Sequence, residues 1–295
     1  MKIYCHVDLD GRAAGAIVAR RYRDASVHLY NYFYDFQHSF GEVEPNEALV
    51  FVDITPNIDT LKDLMVVTKK ITIIDHHGDE DLKEAGLEFA GKINDDGYGA
   101  CRMVWEYYYP DRDLPQGIRW ISDYDNWVRY PSNKQFQFGL STFNTYPTSR
   151  IWDKILLDDE GFLHHVLKRG KAALEYLEPW YKQLVRSYAF PAQLGEYKAL
   201  FLNQGAVDSS VFDSVEETYD IYVRGTYGKS QEWLVSLTTE RDDLDLGELA
   251  RQWGGGGHKK SAGLKVSDIN SLLRVGVGNH VKSPSDGSSD PPKQG

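Results

Sequence analysis

The stretch Ile71-Thr72-Ile73-Ile74-Asp75-His76-His77-Gly78 decides how the rest of the chain is read. Its four opening residues are β-branched, which suits a strand buried on both faces in a parallel sheet. The run then breaks into an acid and two adjacent histidines. In open parallel sheets ligands collect beyond the carboxyl ends of the strands. One acid and two imidazoles therefore arrive where chemistry is done. Neighbouring side chains on extended chain point to opposite faces, so His76 and His77 are expected to do different jobs. Imidazole suits manganese, iron or zinc, and carboxylate suits manganese or magnesium. A surface histidine pair at a strand end is the bland rival, because the motif is short.

Upstream, the same pattern recurs. Lys2 to Val7 reads as a first strand that runs into His6-Val7-Asp8-Leu9-Asp10-Gly11. A helix is expected from about Arg12 to Arg23, and Gly11 and Gly15 would let it start close to the sheet. On an extended end, His6, Asp8 and Asp10 share a face. Capping of the helix by Asp10 is the rival reading, and it leaves His6 and Asp8 unexplained. Val27 to Tyr34 reads as a second strand. Leu49 to Asp53 is a third, again delivering an acid at its end, with a helix from Ile58 to about Val66 behind it. Strands alternating with helices predict a doubly wound sheet whose strand ends share one edge, so their acids converge.

Downstream, Tyr98 to Tyr109 has helical spacing and closes at Pro110. Ile118 to Trp127 reads as a helix end running into a loop, with two more acids, Asp123 and Asp125. Phe136 to Phe143 is apolar and undecided. Ile151 to about Tyr188 is helical in composition, and Pro179 is expected to kink or divide it. His164 and His165 within it read as helix surface. Lys198 to Leu202, Tyr219 to Thr226 and Trp233 to Thr239 read as strands of a smaller α/β domain. Helices are expected at Asp208–Glu216 and Asp245–Trp253. The last runs into Gly254-Gly255-Gly256-Gly257-His258-Lys259-Lys260, where the glycines exclude regular structure. Such a loop can aim backbone N–H groups at an anion, with His258 and the lysines beside it. A flexible glycine linker is the alternative.

The chain of 295 residues suggests two domains. At 41% hydrophobic and 26% charged the composition is that of a globular protein. Cys5 and Cys101 make neither a disulfide framework nor a thiolate zinc site, and both are expected buried and reduced. No signal peptide or membrane-length apolar run is read, so the expectation is a cytoplasmic protein with no membrane partner. A net charge of −11 argues against non-specific tracking along a nucleic-acid backbone, which wants a basic face. Small anionic ligands remain compatible, because bound cations invert the sign locally.

The ordered set His6-x-Asp8-x-Asp10-Gly11, Asp53, Asp75-His76-His77, Asp123 and the loop Gly254–His258 resembles the DHH phosphoesterase superfamily with its C-terminal DHHA1 domain. The resemblance covers the chain to about residue 266. Members include RecJ-type exonucleases, nanoRNases that degrade very short oligonucleotides, dinucleotide phosphodiesterases and family II inorganic pyrophosphatases. It implies an N-terminal doubly wound parallel-sheet catalytic domain (1–148), a helical connector (149–189) and a smaller α/β DHHA1 domain (190–278); the Ser-, Pro-, Asp- and Gly-rich end offers almost nothing apolar to bury and reads as a disordered tail (279–295). The resemblance also implies two divalent metal ions, manganese by preference, with magnesium, cobalt or iron as substitutes. His6 and Asp8 would hold one ion; Asp10, His76 and Asp123 would hold the other, with Asp125 as the alternative fourth acid; Asp53 would bridge. Asp75 would orient a histidine, and His77 would face the phosphate. Gly255, Gly256, Gly257, His258 and Lys259 would grip the substrate.

A phosphodiester is anionic and resists attack, and two cations about 3.5–4 Å apart neutralise it and activate water. The substrate expected is a short oligonucleotide or dinucleotide, cleaved to mononucleotides, and a homodimer is left open. A RecJ-like exonuclease, a phosphatase or polyphosphatase, and a non-catalytic nucleotide- or protein-binding domain are the rivals. Tyr98, Trp127 and Tyr130 are the aromatic residues on which a base could stack.

Overall fold

The computed structural model describes residues 1–31, 42–77, 82, 86–93, 97–205 and 207–274. The end of the second expected strand near Tyr34, Gly78 and the expected tail lie outside the described residues. The chain divides into two compact units, Met1–Tyr181 and Lys182–Gly295. The division falls inside the segment read as the connector.

The first unit is a parallel five-stranded sheet of β1 (Lys2–His6), β2 (Ser26–Tyr30), β3 (Leu49–Val52), β4 (Ile71–Asp75) and β5 (Ala90–Ile93), in the order β2-β1-β3-β4-β5. Alternation along the strands feeds two separate cores. Ile3, Cys5, Val50, Val52 and Ile74 face one helical layer, built from α1 (Leu9–Arg21), α3 (Ala100–Tyr108), α4 (Gln116–Asp125), α5 (Pro131–Leu140) and α6 (Ile151–Leu156). Tyr4, Leu49, Phe51, Ile71 and Ile73 face the other, against Leu61, Leu64 and Met65 of α2 (Ile58–Val67). A sheet with apolar residues on both faces needs a cover on both, hence the doubly wound form. Cys5 and Cys101 are buried free thiols, as expected.

The strand order reverses between β1 and β3, since β2 lies on one side of β1 and β3 on the other, while all strands stay parallel. The crevice at such a switch point opens at the carboxyl ends of the strands. Register keeps those ends level: Cys5 pairs with Val52, and Val52 pairs with Ile74.

Several boundaries differ from the sequence expectation. The first helix begins at Leu9 rather than Arg12, and its cap is Asp8, whose Oδ1 accepts from Gly11 N at 2.9 Å. Asp10 therefore sits in the helix, and only His6 and Asp8 belong to the extended end. Gly11 and Gly15 do permit the close start: a Cβ at Gly11 would lie 2.5 Å from the His6 carbonyl oxygen, and one at Gly15 would lie 2.7 Å from Cys5 Sγ. The acids of the Ile118–Trp127 stretch lie on a regular helix rather than in a loop, because α4 runs to Asp125. The undecided Phe136 segment is helix α5.

Pro179 neither ends nor divides the long helix α7 (Glu160–Tyr188); the break falls earlier, at residues 157–159, where Asp158 has φ +51°. The exposed Pro179 ring still removes one backbone donor and crowds the preceding turn. Pro179→Ala is expected to stabilise the protein by up to about 3 kcal/mol, read as a higher urea midpoint at unchanged m-value.

The second unit carries a mixed sheet in the order β10-β11-β9-β8-β7-β6. Its strands are β6 (Ala189–Leu194), β7 (Tyr197–Leu202), β8 (Ile221–Tyr227), β9 (Trp233–Thr238), β10 (Gly256–Gly257) and β11 (Ser261–Val266), with α8 (Leu246–Arg251) and α9 (Ile269–Leu272) on the same core. β6, β10 and β11 lie outside the strands expected from the sequence; β11 alternates, with Ala262, Leu264 and Val266 turned to the core. The expected helix after Asp208 is a single 3₁₀ turn, Ser209–Phe212, capped by Asp208. Among the described residues no helix is long and apolar enough to cross a membrane.

Candidate metal centre

Four chain segments deliver the site. His6 ends β1 and Asp8 follows it, Asp10 lies in the first turn of α1, Asp53 follows β3, and Asp75 ends β4 with His76 and His77 directly after it. Asp125 closes α4. His6 Nδ1 lies 2.8 Å from Asp8 Oδ2 and 3.6 Å from Asp53 Oδ2. His76 Nε2 faces three carboxylates: Asp53 Oδ1 at 3.2 Å, Asp125 Oδ2 at 3.4 Å and Asp10 Oδ2 at 3.9 Å. Possible ligand atoms of His6, Asp8 and Asp53 lie within 4.8 Å of one another, and so do those of Asp10, His76 and Asp125.

Asp53 occupies the centre. It is 1% exposed, and it adopts a φ of +57°, a left-handed conformation that Asp visits more readily than most residues. Its backbone N–H continues the ladder by donating to the Ile74 carbonyl at 3.0 Å. Both of its carboxylate oxygens are buried without a hydrogen-bond donor among the described residues, although three imidazoles lie near them. A buried carboxylate whose oxygens accept no hydrogen bond is costly. Strained backbone at such a residue points to function.

The electrostatics agree. Burial, with the charges of Asp53 and Asp125, holds the Asp10 carboxyl well above its usual range. Burial also pushes Asp125 up to about 7. Burial would depress His76, yet Asp53, Asp125 and Asp10 outweigh it and raise the imidazole well above its ordinary value. His6 is raised in the same way against burial by Asp8 and Asp53. Without cations the site must take up protons to offset its carboxylates. Mixed imidazole and carboxylate donors at these separations fit divalent ions, which supply that charge instead.

His76 and His77 do not point to opposite faces as extended chain would have them: β4 ends at Asp75, the two rings lie 4.6 Å apart, and both approach Asp53 Oδ1, at 3.2 and 3.8 Å, while His77 alone pairs with Asp75. Asp75 is fully buried; its Oδ1 lies 2.6 Å from His77 Nδ1, and its Oδ2 accepts from Thr55 Oγ1 at 2.6 Å. Burial would raise the Asp75 carboxyl, but His77 and the hydrogen bonds hold it well below the usual range. An anionic Asp75 fixes the proton on His77 Nδ1 and directs Nε2 outward. Thr55 escaped the sequence reading, because a threonine two residues past Asp53 carries no motif signal.

The sequence favours Asp123 as the acid of α4, with Asp125 as the alternative; the structure puts Asp125 in the cluster. Residues two apart on a helix point about 200° apart. Asp123 turns away and accepts from Tyr130 Oη at 2.7 Å. Asp125→Ala is thus expected to weaken Mn²⁺ binding by at least about 10-fold. Asp123→Ala is expected to leave binding unchanged and cost about 1 kcal/mol of stability for the lost hydrogen bond. Calorimetric Mn²⁺ titration beside urea unfolding separates the two.

In the second unit, the glycine run is more regular than expected. Gly254, at φ +73°, and Gly255 donate back to the Arg251 and Ala250 carbonyls, ending α8. Gly256 and Gly257 form β10 against β11, where a Cβ on Gly257 would lie 2.6 Å from Ala262 Cα. The N–H groups of Gly254 and Gly255 are thus committed internally. His258 N donates to Ser261 O at 2.7 Å, which leaves Lys259 and Lys260 at a turn, with Lys260 paired to Asp242 at 2.7 Å. Of the aromatic candidates, Tyr98 lies under the Arg102 guanidinium at 3.4 Å and Trp127 under that of Arg129 at 3.7 Å.

No family model matches the chain. Protein R106 of Acanthamoeba polyphaga mimivirus is 24% identical over 264 residues, covering 81% of this chain and 58% of its own length. Oligoribonuclease NrnB of Bacillus subtilis (strain 168) is 24% identical over 302 aligned positions, 90% of this chain and 73% of its own. The chain thus spans little more than half of the first relative and about three quarters of the second. Among solved structures, the DHH domain of PF0399 superposes with a TM-score of 0.59 at 14% identity, covering 91% of this chain and 83% of that one. The pGpG-specific phosphodiesterase PggH of Vibrio cholerae gives 0.52 at 14% identity, covering 92% and 94%. RecJ of Thermus thermophilus, solved with Mn²⁺, gives 0.50 at 15%, covering 91% and 50%. The parallel sheet and these likenesses agree, and the chain shares its fold with the DHH domain of PF0399 and with PggH.

Proposed function

We propose that the chain is a metal-dependent phosphodiesterase that hydrolyses short oligonucleotides or linear dinucleotides to mononucleotides. The observation that carries this reading is Asp53: a buried carboxylate at a strained backbone position, with both oxygens lacking hydrogen-bond donors and two sets of ligand atoms around it. His6 and Asp8 would hold one divalent ion, Asp10, His76 and Asp125 a second, and Asp53 would be shared. Manganese suits this donor set; magnesium or cobalt are the substitutes. Such a pair, when bound, offsets the charge of a phosphodiester and makes water acidic enough to attack it.

The protein's own groups supply the rest. Burial would depress His77, but Asp75 outweighs it and raises the imidazole above its ordinary value. Protonated on both nitrogens, that imidazole would donate a hydrogen bond to an anionic phosphate oxygen, with Asp75 and Thr55 holding the ring in place. The turn at Gly255, Gly256, Gly257, His258 and Lys259 is the proposed substrate-binding group of the second unit. The relatives' names favour nucleic-acid phosphoesters, and the net charge of −11 favours short ones over long strands.

The test is a substrate panel with Mn²⁺ and a chelator control. Mononucleotide release from dinucleotides, faster than from long single strands and abolished by chelator, is the expected outcome. Faster release from the long strand would replace this reading with a RecJ-like exonuclease. Inorganic phosphate from nucleotides or polyphosphate would replace it with a phosphatase.

A further inference from the structure

We infer that Gly99 and Ser122, which no motif marks, are positioning residues that set how tightly the cluster binds its ion, acting through Asp10. The inference rests on the metal reading above. Asp10 is 2% exposed, and both of its oxygens accept from the first turn of α3: Oδ2 from Ala100 N at 2.6 Å and Oδ1 from Cys101 N at 3.1 Å. The caps of α1 and α2 are Asp8 and Asn57, which precede their helices directly; α3 is capped by a carboxylate ninety positions upstream. Its own N-cap, Gly99, supplies no side chain. Each carboxylate oxygen has two lone-pair directions, so the helix can hold one on each oxygen and leave the other for an ion.

Seating that helix end depends on two small residues. Gly99 is buried, and a Cβ there would lie 2.8 Å from Asp10 Oδ1 and 2.9 Å from Ser122 Cα. Neither neighbour is a flexible tip, so only glycine lets the α3 N-terminus reach the carboxylate. Ser122, 1% exposed, accepts from Gly99 N through Oγ at 2.9 Å. Ser122 lies on α4 one turn before Asp125, and residues three apart share a helix face. The Gly99–Ser122 contact therefore fixes Asp10 and Asp125, the two carboxylates that flank His76 Nε2, relative to each other. Partners that orient metal ligands change affinity or activity about 10–100-fold when lost.

The experiment titrates Mn²⁺ into the metal-free full chain by calorimetry for wild type, Gly99→Ala and Ser122→Ala. Chelator-treated thermal midpoints and the Mn²⁺ dependence of turnover are recorded in parallel. Each variant is expected to raise the Mn²⁺ dissociation constant about 10–100-fold, with turnover recovering at saturating Mn²⁺. If Gly99→Ala does not fold, Ser122→Ala, which adds no atom, carries the test. Dissociation constants within about 2-fold of wild type, with only thermal midpoints lowered, would overturn the inference and leave a structural role. A wild type that binds no Mn²⁺ would overturn the metal reading itself, and the inference with it.

Discussion

Asp53→Asn is expected to abolish metal-dependent hydrolysis while the protein stays folded. Asparagine matches aspartate in volume and shares its tolerance of the left-handed region that Asp53 occupies at φ +57°. The backbone N–H bond to Ile74 is untouched, so the β3 end keeps its place. What changes is one negative charge between His6 and His76 and half of the acid's capacity to ligate two ions at once. Metal ions contribute several kcal/mol to stabilising a phosphoryl transition state. Losing about 4 kcal/mol of that lowers the rate on the order of 10³-fold. Turnover of a dinucleotide at saturating Mn²⁺, with far-ultraviolet circular dichroism as the folding control, checks this. Activity within about 10-fold of wild type would remove Asp53 from its bridging place. Asp53→Val would be a poor substitute test, because a β-branched residue resists positive φ and its loss of activity would include loss of fold.

Gly170→Ala is expected to be the most destabilising conservative change in the first unit. At this crossing of α5 and α7 the two backbones touch. A Cβ on Gly170 would lie 1.7 Å from the Gln135 carbonyl oxygen, and one on Gly139 would lie 2.0 Å from that of Val166. The atoms in the way are helix backbone, which cannot rotate aside like a side-chain tip. Overpacking a tight core costs about 1–3 kcal/mol when side chains yield. Here a whole helix must shift, so a loss of about 3 kcal/mol or more is expected. Gly161→Ala is the control on the same helix, where a Cβ would meet only Asp159 Oδ1 at 3.4 Å. That change is expected to be neutral or to stabilise by up to about 1 kcal/mol. Equal urea midpoints for the two variants would contradict the close crossing.

The sequence by itself determined the parallel sheet, because short apolar runs ending in acids leave little else for Ile71–Ile74 and Leu49–Val52 to become. It also marked most residues of the candidate cluster: His6, Asp8, Asp10, Asp53, Asp75, His76 and His77 were legible because strand ends are marked by abrupt apolar-to-polar breaks. Tertiary structure alone decided the rest. Asp123 and Asp125 both looked eligible, and only the phase of α4 turned one toward His76 and the other toward Tyr130. Asp10 read as the end of a strand, yet it reaches the cluster from a helix and caps another helix distant in sequence. The glycine run read as an open loop, and pairing with β11 made part of it a strand. In each case the local sequence allowed two conformations or two directions. Contacts between segments far apart in the chain, which no local pattern encodes, chose between them.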